Sequence, residues 1–425
     1  MTPDQIAEYL DHLRDAGERL KKRPIAEVLE ILGAVLDGWR DPNSIWRRDL
    51  VDRLPTATGF TAPLISEGLG RALGGWTSDA LRELAIRELG SLDAIDTASD
   101  RRISSFGTTA VLLAGSIPMP SLLALIAPLA VRSPVLAKAA SRDPLTPHLV
   151  AQSIAEADEE LGRCIQVVNF SADDESCICA LLEADCICAT GSDETIAAVR
   201  ALVKPPRRLI ADGHRLSVAA VVPPKERKDR VDLAERLALD IALWDQLGCL
   251  SPIAVFAVAS EAAQMTALAE EIAVALATAE KKWPRGEIDP RTAHSIAQQR
   301  AEAELRRAAG RAVEIHVSDS TAWTVIVEDG PELRPAPLHR FVRVIPVPDA
   351  KQLLGAIQPL GAHLAAVAIE GFGEKTSQLA QALADLGASR VCLPGSLQSP
   401  PLDWRHGGRG VLAPLARFTD IEATS

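Results

Sequence analysis

Between Thr108 and Ala211, short aliphatic and β-branched runs alternate with longer runs of three–four apolar spacing. The short runs are Thr108–Ala114, Ser133–Ala139, Ile165–Phe170, Asp185–Thr190 and Arg208–Ala211, with helical patterns at Pro147–Gly162, Asp174–Ala184 and Asp193–Leu202. Strands that are apolar on both faces and separated by crossover helices bury themselves in a parallel sheet covered on both sides. The spacing therefore predicts an α/β chain built on a doubly wound parallel sheet. Such a sheet takes its ligands at the carboxyl ends of the strands.

A second alternation follows Leu216–Val222, which reads as a further strand. Pro223 to Asp232 is a charged, proline-bearing connection and marks a domain boundary. Beyond it the pattern predicts helix Leu233–Leu247, strand Ile253–Val258 and helices Ala262–Lys282 and Asp289–Ala309. A hairpin of Ala312–His316 with Thr321–Val327 comes next, then strand Phe341–Val347 and helix Ala350–Ile357. Strand Leu364–Ile369, helix Lys375–Leu386 and strand Ser389–Leu393 complete the series, and an irregular tail begins at Pro400. Residues 1–95 carry helical spacing at Thr2–Lys22, Ile25–Trp39 and Thr77–Leu89. Gly68, Gly70 and Gly74 are spaced one residue too widely for a dinucleotide fingerprint and follow a helical pattern, so they read as a loop between helices.

Composition narrows the function. A chain of 425 residues has room for two or three domains. A net charge of −12 offers no basic face to neutralise phosphates, and a single tyrosine leaves few stacking platforms, so nucleic acid is excluded as a partner. Phe106–Val131 is 26 residues without a charge. Its β-branched first half, its breaker cluster from Gly115 to Pro120 and its helix-like second half describe a buried strand–turn–helix unit, not a membrane span. Seven cysteines, an odd number, with no secretory signal pattern in the first twenty residues, describe a reduced cytoplasmic chain with free thiols.

Several positions can carry chemistry. Cys177-Ile-Cys179 and Cys186-Ile-Cys188 have the residue type for zinc, yet one pair falls on a helix and the other in a strand, so no metal site is expected. Ala189-Thr190-Gly191-Ser192-Asp193-Glu194-Thr195 leaves a strand and opens a helix. It reads either as a phosphate-holding turn or as simple N-capping by Ser192. His214 precedes a strand and His406 lies in Trp404-Arg405-His406-Gly407-Gly408; neither has a role on position alone. Cys249 follows a helical run and Gly248, with Ser251-Pro252 leading into a strand. This is a setting for a bared nucleophilic thiol, or for one more buried cysteine at a helix end.

Taken in order, these pieces resemble the aldehyde dehydrogenase superfamily, and more closely its acyl-CoA reductase branch of the LuxC type. The resemblance runs from about residue 60 to the C-terminus. It rests on Ala114-Gly115-Ser116-Ile117-Pro118, Ser133–Ser141 around Lys138, Gly191-Ser192-Asp193-Glu194-Thr195, Gly213-His214-Arg215, Gln246-Leu247-Gly248-Cys249-Leu250-Ser251-Pro252 and Pro401–Gly408. It implies an aldehyde-dehydrogenase-like fold: a helical N-terminal region and Rossmann-type dinucleotide-binding domain over residues 1–217 plus 396–425, and an α/β catalytic thiol domain over 218–395.

The resemblance also implies roles. Cys249 matches the catalytic thiol, which takes the acyl group from a fatty acyl-CoA or acyl-protein thioester before reduction to the aldehyde. His214 matches its base, and Ser116 stands where the superfamily places an oxyanion-binding asparagine. Lys138 matches a ribose contact, and Gly191 and Ser192 match the turn over the cofactor phosphates. Ser141, near the glutamate of NAD-preferring relatives, is followed by Arg142, which can pair with a 2′-phosphate; NADPH is the expected cofactor. Ala211-Asp212-Gly213-His214 replaces the Glu-Leu-Gly-Gly of hydrolytic relatives, so an acyl-enzyme is expected to survive water. A homo-oligomer and an acyl-transferring or acyl-activating partner are further expectations. The rival readings are a CoA-acylating dehydrogenase of short aldehydes and a non-catalytic relative acting as a binding partner.

Overall fold

The structure, a computed structural model, describes residues 1–97, 101–259 and 261–422. Of the expected C-terminal part 396–425, residues 423–425 lie outside the described residues. The chain divides into two compact units: 1–58, 72–214 and 401–425 in the first, 59–71 and 215–400 in the second.

The first unit is built on five parallel strands in the spatial order Ile165–Val168, Val135–Lys138, Thr109–Leu112, Cys186–Thr190, Arg208–Asp212. Strands two and three thus lie on one side of the first strand and four and five on the other. The switch point falls at Thr109–Leu112. Ala110, Leu112, Leu136 and Ile187 of the sheet share a core with Ile6, Leu10 and Leu13 of helix Pro3–Leu20. That helix starts at a capping box, in which the Thr2 side chain accepts from Gln5 N and the Gln5 side chain accepts from Thr2 N. Where it passes Pro134, Gly17 is required, because a Cβ there would come 2.8 Å from the proline ring.

The expected helix Pro147–Gly162 is two helices, Thr146–Ala157 and Glu159–Gly162. Asp158 breaks the first by turning extended and then caps the second through Leu161 N. Several elements had no counterpart in the sequence pattern. Strand Arg101–Ser105 pairs antiparallel with Ala416–Asp420, so the tail read as irregular ends in a ribbon. Helix Ile45–Thr58 carries an interior proline, Pro55, that hides its period.

The second unit is a seven-stranded sheet in the order Arg390–Cys392, Leu364–Glu370, Leu216–Val221, Pro252–Val258, Phe341–Val347, Thr324–Val327, Glu314–Val317. All neighbours are parallel except the last pair, which forms the expected hairpin at one edge. Its core gathers Val218, Ala220, Phe256, Ile345, Val367 and Ile369 from the strands with Leu353, Leu379 and Leu383 from the helices. Gly68 and Gly70 are not in a loop; they lie on helix Ala62–Ala72, which belongs up to Arg71 with this unit. A Cβ on Gly68 would come 2.3 Å from the Trp244 ring, so glycine is what lets the helix seat there. No described helix is long and apolar enough to cross a membrane.

Candidate functional site

Four strand exits of the first unit open on the carboxyl edge of its sheet, and expected site residues follow them, Ser116 and His214 for catalysis and Lys138, Gly191 and Ser192 for the cofactor. Thr109–Leu112 leads to Ser116, Val135–Lys138 ends on Lys138, Cys186–Thr190 leads to Gly191 and Ser192, and Arg208–Asp212 leads to His214. The topology thus gathers residues spread over about a hundred positions to the one edge where a doubly wound sheet binds ligands. Ser116 is buried, one residue beyond Gly115, whose φ of +88° turns the chain out of the strand.

Lys138 is buried, and burial holds its ammonium below the ordinary lysine range. It makes a long 3.5 Å bond to Ala139 O and lies 5.3 Å from the Phe170 ring centroid. A desolvated ammonium so weakly engaged fits a ribose hydroxyl, which would accept from it. Ser141 and Arg142 are exposed at the tip of the turn closed by the Ala140–Asp143 bridge.

At the next exit the Ser192 side chain caps helix Asp193–Leu202 by accepting from Thr195 N at 3.2 Å. Gly191 N donates to Asp212 O, and His214 N to Asp193 Oδ1 at 2.9 Å, so the two exits are laced together. The His214 side chain is exposed. A cluster that sequence reasoning did not assemble completes this edge. Asp212 receives Nδ1 of His406 at 3.0 Å and the guanidinium of Arg409, whose Nη1 also donates to Ala211 O.

Cys249 is carried by the second unit. Helix Arg227–Ala242 ends five residues before the expected Leu247, because Trp244, Asp245 and Gln246 all take positive φ (54°, 48° and 65°). Left-handed backbone costs roughly 1–2 kcal/mol per non-glycine residue, so this turn must be imposed by its surroundings. Trp244 is fully buried, edge-on to Phe60. Asp245 Oδ2 accepts from Gly286 N at 2.9 Å, while Oδ1 pairs at 2.8 Å with Arg340, itself fully buried. Burial pushes the Asp245 carboxyl above the usual range, with Arg340 opposing.

From this turn Gly248–Ser251 forms a second one, Ser251 N donating to Gly248 O. Cys249 is exposed there, between half-buried Gly248 and buried Leu250. Its carbonyl accepts from Ser217 Oγ at 2.7 Å. In the paired cysteines Cys177 and Cys186 are buried, Cys188 is half-buried and Cys179 is exposed, and all seven cysteines are free. Among the described residues no three His, Cys, Asp or Glu side chains group as metal ligands.

Residues 20–418 match the model of the acyl-CoA reductase (LuxC) family. The chain belongs to that family. As an acyl-CoA reductase it is an oxidoreductase acting on acyl or aldehyde groups. It is 23% identical to a long-chain acyl-protein thioester reductase of Photorhabdus laumondii, over 98% of this chain and 86% of that protein. Its fold is that of aldehyde dehydrogenases. A NAD-dependent benzaldehyde dehydrogenase from Corynebacterium glutamicum superposes with a TM-score of 0.73 at 14% identity, covering 100% of this chain and 90% of that one. An NADP-dependent glyceraldehyde-3-phosphate dehydrogenase from Bacillus halodurans, solved with NADP, gives 0.71 at 16% identity, covering 98% and 91%.

Proposed function

We propose that this acyl-CoA reductase family member reduces a long-chain fatty acyl thioester to the fatty aldehyde with NADPH, through an acyl group held on Cys249. The observation that carries this reading is the exposure of Cys249 on a turn, between half-buried Gly248 and buried Leu250. In the first step the Cys249 thiolate adds to the thioester carbonyl carbon, the bond from that carbon to the carrier sulfur breaks, and the carrier leaves as a thiolate that takes up a proton. The acyl group stays on Sγ. The Cys249 backbone N–H and the Ser116 hydroxyl are the donors assigned to the carbonyl oxygen as it becomes negative. His214 is the base assigned to the Cys249 proton.

Lys138, Gly191 and Ser192 would hold the dinucleotide, with Arg142 beside the 2′-phosphate and Ser141 leaving room for it. The cofactor supplies the hydride that converts the acyl group to aldehyde. Cys249 is then released as its thiolate. No glutamate occupies the stretch Ala211-Asp212-Gly213-His214, and the Asp212 carboxylate is engaged by His406 and Arg409. Water is therefore poorly activated, and the acyl group persists long enough to be reduced.

The test is incubation of the chain with radiolabelled myristoyl-CoA. A hydroxylamine-labile label on Cys249, lost in Cys249→Ala, together with aldehyde on adding NADPH, is the expected result. Label retained in Cys249→Ala, or none in the native chain, overturns the reading. A series from acetyl to myristoyl thioester separates it from the short-chain alternative, which requires the acetyl end to turn over fastest.

A further inference from the structure

Two stretches of the second unit each hold three successive non-glycine residues in the left-handed region: 244–246 and 338–340, the latter with φ of 63°, 56° and 65°. Their side chains lock them to one another. Gln246 Oε1 accepts from Phe341 N at 2.9 Å, its Nε2 donates to Phe341 O at 3.0 Å, and Asp245 pairs with Arg340. Arg340 in turn reaches Glu280 at 2.7 Å and Trp283 O at 2.8 Å. Trp, Asp, Gln, Leu, His and Arg have no shared preference for this backbone, so the contacts hold it.

The same Nε2 of Gln246 also donates to Pro252 O at 2.8 Å. One amide therefore ties both ends of the loop 246–252 and anchors them to the start of strand Phe341–Val347. Cys249 stands midway, three residues from either end. Inside the loop, the Cys249 carbonyl is held by Ser217, and Ser251 Oγ accepts from Gln398 Nε2 at 3.0 Å.

We propose that Gln246, Asp245 and Arg340 are positioning residues for the Cys249 thiol, the paired left-handed turns forming a clamp that fixes where the sulfur stands. The proposal rests on the reading of Cys249 as the nucleophile. Fixing the attacking atom spends the orientational freedom of the loop during folding, not at the moment of reaction. The clamp touches no reacting atom and acts through the loop.

The test compares Gln246→Met, which removes all three hydrogen bonds at nearly constant volume, with Asp245→Asn. The latter keeps an acceptor for Gly286 N and tolerates left-handed backbone. Each is alkylated with iodoacetamide and read peptide by peptide, exposed Cys179 of the first unit serving as internal reference. In Gln246→Met the Cys249 rate is expected to change at least fivefold with Cys179 unaltered. The kcat for myristoyl-CoA reduction is expected to fall at least tenfold with KM within twofold, and Asp245→Asn to move both in the same direction but less.

Folded variants with an unchanged Cys249 alkylation rate and kcat overturn the clamp. Should Gln246→Met not fold, hydrogen exchange in the native chain decides. Amides of Phe341 and Gly286 protected like the adjoining strand support the clamp, and exchange at open-loop rates overturns it. Loss of the nucleophile reading shows instead as acyl label surviving in Cys249→Ala, and the alkylation arm, which needs no turnover, still judges the clamp.

Discussion

Nδ1 of His406 lies 3.0 Å from Oδ1 of Asp212, so the C-terminal segment is fastened to the last residue of the sheet's outermost strand. Arg208 extends the fastening by donating to Pro414 O, and a single carboxylate, Glu88, accepts from Val411 N, Leu412 N and Ala413 N at 2.9, 2.7 and 2.9 Å.

Glu88→Gln is predicted to loosen that segment. It replaces a carboxylate serving three amides with a neutral group having one acceptor, a loss of about 1.5–3 kcal/mol. Hydrogen exchange of Val411, Leu412 and Ala413 should quicken at least tenfold. Exchange at the native rate would show that the carboxylate does not hold the tail.

A larger cost is expected inside the second unit. Arg343 and Glu328 are paired with essentially no exposure, and the Arg343 guanidinium also reaches Gln299 and Pro335 O. Burial holds Arg343 below the ordinary arginine range, Glu328 opposing. Glu328→Gln leaves that cation uncompensated and is predicted to cost about 3–5 kcal/mol in urea unfolding. A loss under about 1 kcal/mol would contradict it.

The pH dependence of stability has an identifiable contributor. Asp240 is fully buried and accepts from Gly395 N and Leu397 N, yet burial raises its carboxyl to about 7. The folded chain then holds this proton to higher pH than the unfolded chain, whose carboxyl titrates near about 4. The stabilisation is complete below that value and is lost as pH rises through 7. Asp240→Asn has no proton to lose, so its Tm should change less between pH 5 and pH 8 than that of the native chain. Equal changes would remove Asp240 from the account.

Cofactor choice is predicted to turn on Arg142. With its guanidinium exposed on a turn, Arg142→Ala should lower kcat/KM for NADPH about tenfold, the worth of one charge-assisted contact, and leave NADH unaffected. A matched fall with both cofactors would place the arginine elsewhere in the reaction.

Most of the sheet architecture was legible because each strand is an apolar run bounded by glycine, proline or charge. Phe341–Val347 and Ala350–Ile357 coincide with the expected bounds. What stayed hidden was non-local. Nothing in Trp244 or Gln246 announces left-handed backbone; the cause is a partner at Phe341, 95 residues away. Ala416–Asp420 looked irregular because its strand partner, Arg101–Ser105, lies far earlier in the chain. The Asp212–His406–Arg409 cluster is likewise assembled by the fold from two distant segments. Whether Cys249 was bared or buried also could not be read from its neighbours, since Gly-Cys-Leu-Ser-Pro suits both.

Helix Ala62–Ala72 has one further consequence. The chain passes between the two units four times, after residues 58, 71, 214 and 400, so neither unit is an unbroken stretch. A fragment excised as 215–400 would keep every strand of the thiol-bearing sheet, yet it would lack the helix that seats Gly68 on the Trp244 ring. The bared indole would sit at the foot of the very bend that leads to Cys249. Expression of that half alone should yield a thiol with an altered environment, and dissection of this chain by simple truncation would mislead.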